Sequence, residues 1–97
     1  MILYEIIKFI NYYFKAQMNF TVYSKNGCPY CDKVKKVLEL TNSQFVVYNL
    51  DEHFDRASFY EEFGFGSTFP QVICNGNKLG GSIETIKFLK EKQIIGG

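Results

Sequence analysis

Ser24-Lys25-Asn26-Gly27-Cys28-Pro29-Tyr30-Cys31 is the stretch that decides this chain. Two thiols stand three positions apart. Before them lies an apolar run, Phe20, Val22 and Tyr23, that reads as a buried strand; after them a helix-like run extends from Asp32 to Leu40. The order is strand, polar loop, CxxC, helix. Cys28 then falls at the loop tip and Pro29 in the first helical turn, where its missing N–H costs nothing and its fixed φ suits a helix. A helix start leaves backbone N–H groups without partners. Those groups and the helix dipole favour the thiolate of Cys28, and Lys25 adds a positive charge nearby. A thiolate favoured in this way is a nucleophile at neutral pH and a good leaving group. Cys31, one turn on, is expected to be less exposed and in reach of a mixed disulfide on Cys28, which it can displace to close an intramolecular disulfide. Half of a metal knuckle and an inert buried pair are the competing readings, but CxxC between a strand and a helix is the redox pattern.

The 97 residues suffice for one domain with a modest core. Aromatics are abundant, with 10 Phe and 7 Tyr but no Trp. A net charge of +1 argues against a nucleic-acid binder, which shows a basic face. It also gives no strong steering toward membranes. Of 3 cysteines the CxxC explains a pair and leaves Cys74 over, which is not a secreted disulfide framework, so a cytoplasmic location is expected. The N-terminus lacks the basic region and small-residue cleavage site of a signal peptide.

Residues 1–17 are nearly all apolar, with Glu5, Lys8, Asn11 and Lys15 on one narrow helical stripe. Such an amphipathic segment wants burial on most sides and is too short to span a bilayer, which takes ~20 apolar residues. Three readings stay open: an extra helix packed on the domain, a segment lying on a membrane or partner surface, or a stretch upstream of a true start at Met18. Membrane contact is the least favoured. The domain proper is expected over 18–97.

Phe20–Ser24 reads as the first strand and Pro29–Leu40 as the first helix. Val34, Val37 and Leu38 form its buried face, with Lys33, Lys35 and Lys36 outward. Thr41-Asn42-Ser43 breaks it. Phe45–Leu50 is the second strand, parallel to the first, so a βαβ unit brackets the cysteines. Asp51-Glu52-His53 is a turn, Phe54–Phe63 a second helix with Glu61 and Glu62 on a solvated face, and Gly64–Ser67 a loop. Gln71–Cys74 is the third strand. Asn75-Gly76 is the strongest hairpin signal in the chain and leads into a fourth, antiparallel strand, Asn77–Leu79. Gly80-Gly81 ends it; Ser82 is expected to cap a third helix that carries Ile83, Ile86 and Leu89 at helical spacing. The sum is an α/β domain with a four-stranded mixed sheet and helices on both faces.

Thr68-Phe69-Pro70 precedes the third strand. It is either an ordinary loop proline or a cis peptide in a tight turn. If it faces Cys28, the Phe69 backbone is free to pair with an extended peptide-like ligand. Gly80-Gly81-Ser82 opens a helix N-terminus whose N–H groups suit a carboxylate. Cys74, mid-strand among apolar residues, reads as a small buried hydrophobe; His53 reads as solvated.

Lys25 with Cys28-Pro29-Tyr30-Cys31, then Thr68-Phe69-Pro70, then Gly80-Gly81, stand in an order that resembles the dithiol glutaredoxins over residues 18–94. Thioredoxins usually carry a Trp before CGPC, and this chain has no Trp. The resemblance implies a thioredoxin-like fold and a thioltransferase activity with glutathione as co-substrate and no metal. It implies that Cys28 attacks the disulfide and carries glutathione, and that Cys31 resolves protein disulfides. It implies further that Lys25 and Tyr30 flank glutathione, that Thr68, Phe69 and Pro70 hold its cysteinyl segment, and that the amides of Gly81, Ser82 and Ile83 bind its γ-glutamyl carboxylate. Implied partners are disulfide-containing or glutathionylated client proteins, ribonucleotide reductase being one such client, with the protein acting as a monomer.

Four positions depart from the family pattern. Phe69 stands where Val is usual, Ser82 replaces a frequent Cys, and Glu84 stands where an Asp often meets the γ-glutamyl amine. Ser67 stands where a basic residue often anchors the glycyl carboxylate; Arg56 is the substitute, in a register the sequence leaves open. The alternative functions are a thioredoxin-type reductant fed by a flavoprotein, an iron–sulfur cluster held between two protomers, against which the rigid Pro29 argues, and a small zinc domain using Cys74 and His53, which lack knuckle spacing.

Overall fold

The computed structural model describes residues 18–92, and the expected N-terminal helix lies outside the described residues. Strand β1 spans Asn19–Ser24, helix α1 Pro29–Leu40, strand β2 Gln44–Asn49, helix α2 Arg56–Phe63, strand β3 Gln71–Cys74, strand β4 Asn77–Gly80 and helix α3 Ser82–Glu91. The sheet order is β2-β1-β3-β4. β1 runs parallel to β2 and antiparallel to β3, which pairs antiparallel with β4. The expected mixed four-stranded sheet is the one observed.

Alternation along β1 separates two cores. Phe20, Val22 and Ser24 are buried on one face. There Phe20 and Val22 meet Val34 and Leu38 of α1, Val72 and Cys74 of β3, and Leu89 of α3. Tyr23 points the other way, its ring centroid 5.3 Å from Phe54 and 5.1 Å from Phe63. Helix α2 therefore covers the second face with aromatic rings, and Phe59 is buried among them. Tyr23, Tyr48, Phe54, Phe59, Tyr60, Phe63 and Phe69 all belong to this aromatic layer.

Asn75 and Gly76 turn the β3–β4 hairpin with φ of 50° and 85°, the positive pair that a tight hairpin of right-handed strands needs. Asn75 Oδ1 also accepts the N–H of Asn19 at 2.9 Å, tying the hairpin tip to the start of β1.

Three local expectations are corrected. Helix α2 begins at Arg56, not Phe54. Asp55 is its N-cap, its Oδ1 accepting the Ser58 N–H at 2.8 Å, which leaves Phe54 outside the helix in a bridge to Leu50. Ser82 is the first residue of α3 rather than its cap, which is Gly81. With no side chain at the cap, Glu84 closes the turn from the other side: its Oε2 accepts the Gly81 N–H at 3.1 Å. That phase puts Ser82, Thr85 and Leu89 inward, so Ile83 is 77% exposed instead of lying on the buried face.

Candidate active site

Helix α1 begins at the chemistry. Cys28 is its N-cap, with extended backbone, and Pro29 occupies the first turn. The N–H of Cys31 donates to Cys28 Sγ at 3.2 Å. Sulfur thus does what a Ser or Asp oxygen does at most helix starts, accepting one of the orphan donors. That bond and the helix dipole both favour negative charge on Cys28 Sγ. Asp32 in the first turn has the opposite sign, but it is exposed and lies 3.3 Å from Lys35 Nζ, which offsets it. Cys28 and Cys31 form a disulfide with Cα atoms 5.2 Å apart, so the pair closes without moving the helix. Cys31 is fully buried, as expected of the less exposed partner. Cys28 is more enclosed than a loop tip implies, at 5% exposed, and its remaining surface opens into a groove.

That groove, of about 410 Å³, is walled by Lys25, Gly27 and Tyr30 on the cysteine side and by Ser67, Thr68 and Phe69 opposite. Arg56 and Tyr60 of α2 complete it. A second cleft of about 340 Å³ continues from Tyr30, Thr68 and Phe69 along Pro70 to Gly81, Ser82 and Ile83. The two clefts share Tyr30, Thr68 and Phe69, and together they collect every predicted site residue except Cys31, which lies beneath.

The Phe69–Pro70 peptide bond is cis, which resolves the two readings of this loop. Among the described residues the Phe69 N–H and C=O make no backbone hydrogen bond. The Phe69 ring stacks on Phe59 at 4.1 Å and 12°. Lys25 Nζ lies 5.5 Å and Arg56 Cζ 6.0 Å from its centroid, so two cations flank one ring beside the nucleophile. Arg56 Nη1 donates to Tyr60 Oη at 3.4 Å, one turn along α2.

Sequence reasoning left the register of Arg56 open and missed Tyr60 entirely. Their i,i+4 spacing was visible, but which face of α2 met the cysteines was not. At the helix-α3 end, the Gly81 N–H already donates to Glu84, so of the three expected amides only those of Ser82 and Ile83 have no such side-chain acceptor. Ser67 is also committed, its hydroxyl donating to the Phe63 carbonyl at 2.7 Å.

Cys74 and His53 lie elsewhere. Burial pushes the Cys74 thiol up, with Lys92 opposing weakly, and Cys74 is 4% exposed, the inert hydrophobe expected. His53 Nδ1 accepts the Asn49 N–H at 3.0 Å. Among the described residues no three His, Cys, Asp or Glu side chains converge on a common point.

A CxxC disulfide at the first turn of a helix, facing a cis-proline loop across a groove at one end of a mixed sheet, defines a thiol–disulfide oxidoreductase of the thioredoxin-like superfamily. The glutaredoxin family model matches residues 20–79. Glutaredoxin-C6 of Oryza sativa subsp. japonica is 34% identical over 77 residues, covering 76% of this chain and 69% of that protein. A glutaredoxin of Vernicia fordii is also 34% identical over 77 residues, covering 74% of that relative. The structure resembles glutaredoxin 1 of Francisella tularensis, crystallised with cacodylate, with a TM-score of 0.66 and 31% identity over 79% of this chain and 96% of that one. The chain belongs to the glutaredoxin family. Its members use glutathione as co-substrate, and at that level the activity is glutathione-dependent thiol oxidoreduction.

Proposed function

We propose that this chain is a dithiol thioltransferase that reduces protein disulfides and protein–glutathione mixed disulfides. The observation that carries the reading is the 3.2 Å bond from the Cys31 N–H to Cys28 Sγ at the mouth of the groove. In the reduced protein that donor, the helix dipole and Lys25 hold Cys28 as a thiolate. The thiolate attacks one sulfur of the client disulfide. The client S–S bond breaks, a Cys28–client mixed disulfide forms, and the leaving thiolate takes a proton from solvent. Cys31 gives up its proton, attacks Cys28 Sγ and releases the second client thiol. The client disulfide has gained two electrons and the Cys28–Cys31 pair has lost two. Two glutathione thiols then return them, leaving one oxidised glutathione. With a glutathionylated client, Cys28 alone takes the glutathione, and a second glutathione removes it.

Glutathione carries two carboxylates and one ammonium, and the two clefts offer complementary charges. The glycyl carboxylate falls to Lys25 and Arg56, which replaces the basic residue absent at Ser67. The cysteinyl backbone pairs with Phe69 in the manner of an added strand, with Thr68 and Pro70 beside it and Tyr30 opposite. The γ-glutamyl carboxylate goes to the Ser82 and Ile83 amides, with Gly81 giving close approach and Glu84 facing the ammonium. All these groups lie on one chain, which supports action as a monomer. Its cysteine usage favours the cytoplasm.

The test is a coupled glutathione assay on hydroxyethyl disulfide and on an oxidised protein. Cys28→Ser abolishes both activities. Cys31→Ser spares glutathione exchange and loses reduction of the protein disulfide. Full activity in Cys28→Ser, or reduction by a flavoprotein reductase with none by glutathione, overturns the reading.

A further inference from the structure

Phe65 is 95% exposed, between Gly64 at φ 102° and Gly66 at φ 82°. The hydrophobic effect gives no reason to hold a phenyl ring in water, and the fold gains no burial from it. Its ring lies 5.3 Å from that of Tyr60. Tyr60 Oη accepts from Arg56, and Arg56 and Lys25 flank Phe69 beside Cys28. A strip of alternating rings and cations thus runs from Phe65 to the nucleophile. Among the described residues neither Lys25 nor Arg56 has a carboxylate within ion-pair distance.

We propose that this strip is the docking surface for one kind of client: an extended disulfide-bearing segment with an acidic side chain near its cysteine and an aromatic or large aliphatic side chain beyond. The proposal rests on the thiol–disulfide reading above. A client must bring its sulfur to Cys28, and the unpaired Phe69 backbone accepts it as a strand. The acidic side chain meets the two free cations, and the apolar side chain covers Phe65. Two copies docked strip to strip would set these cations against their like, so the strip is not a symmetric self-interface. The two cations serve the glycyl carboxylate in the glutathione step and the client's acid in the dithiol step. Cys31 must therefore expel the client before glutathione enters.

The test uses peptides that share one intramolecular disulfide ring and differ in a tail: Asp-Phe, Lys-Phe or Asp-Ser, each placed before or after the ring. The wild-type protein reduces the better Asp-Phe peptide with kcat/KM about tenfold above its Lys-Phe and Asp-Ser counterparts. Phe65→Ser removes the advantage of Phe over Ser and leaves hydroxyethyl disulfide turnover within about twofold. Indifference of the wild-type protein to the tails overturns the docking surface, as does a Phe65→Ser variant that slows all substrates equally. Failure of the wild-type protein to turn over hydroxyethyl disulfide with glutathione sinks the oxidoreductase reading instead, so the two failures are distinct.

Discussion

Replacing Phe69 by valine, the residue usual in this family at that position, is expected to weaken the fold. The Phe69 ring stacks on the buried Phe59 at 4.1 Å and lies 6.2 Å from Phe54. An aromatic pair of this geometry contributes about 1 kcal/mol beyond area burial. Phe69 is half-buried, so shortening it to valine forfeits roughly half of the transfer term for the lost carbons, about 1.5 kcal/mol. The two flanking cations add about 0.5 kcal/mol at this partly solvated edge. The total is about 3 kcal/mol, a large share of the 5–15 kcal/mol on which such domains typically subsist. Urea unfolding of the reduced protein, followed by far-UV circular dichroism, reads this directly. With a slope of about 1 kcal/mol/M for a small domain, the midpoint falls by roughly 2–3 M. Phe69→Leu keeps one carbon more than valine but loses the π-face as well, and falls nearly as far. A loss below about 1 kcal/mol in Phe69→Val refutes the reasoning, because the ring then is not holding α2 against the cis-proline loop.

Ser24 Oγ is fully buried and has no hydrogen-bond partner among the described residues, so Ser24→Ala is expected to raise stability by about 1 kcal/mol in the same urea assay; a loss of that size would mean the hydroxyl has a partner. The Ser58 backbone N–H holds the Asp55 carboxyl below the usual carboxylate range. Its cap is therefore fully effective above about pH 4 and is lost as pH falls through the lower folded value, so Asp55→Ala lowers the thermal midpoint at neutral pH and converges on wild type in strong acid. In the reduced native protein, iodoacetamide reacts first at Cys28, at a pH below that needed by an ordinary thiol. Cys74, its thiol pushed up by burial, reacts only on unfolding, which peptide mapping by mass spectrometry shows.

The strand, loop, CxxC and helix were legible in the sequence because each rests on local pattern: period-two alternation in Phe20–Ser24, helical spacing in Val34 and Leu38, and a proline at the first turn. The hairpin at Asn75-Gly76 was legible for the same reason, since a positive φ at both positions selects those residues. What resisted reading depended on partners far along the chain. Whether the helix began at Phe54 or Arg56 turned on Asp55 capping against Phe54 joining a distant aromatic cluster. The phase of α3 depended on Glu84 reaching back to Gly81, and with it Ile83 changed from buried to exposed. The Phe59–Phe69 stack joins residues ten apart across a loop, and no periodicity announces it.

The atom that reacts is also the atom that finishes the first helical turn. Each time Cys28 is alkylated, glutathionylated or locked to Cys31, its sulfur gives up its charge and becomes a poorer acceptor for the amide one turn on. Covalent loading and the strength of that amide bond are therefore linked, and deuterium uptake at the Cys31 amide becomes a gauge of how far the protein has travelled through its cycle. Serine at position 28 keeps that turn closed while removing the chemistry, whereas alanine undoes both.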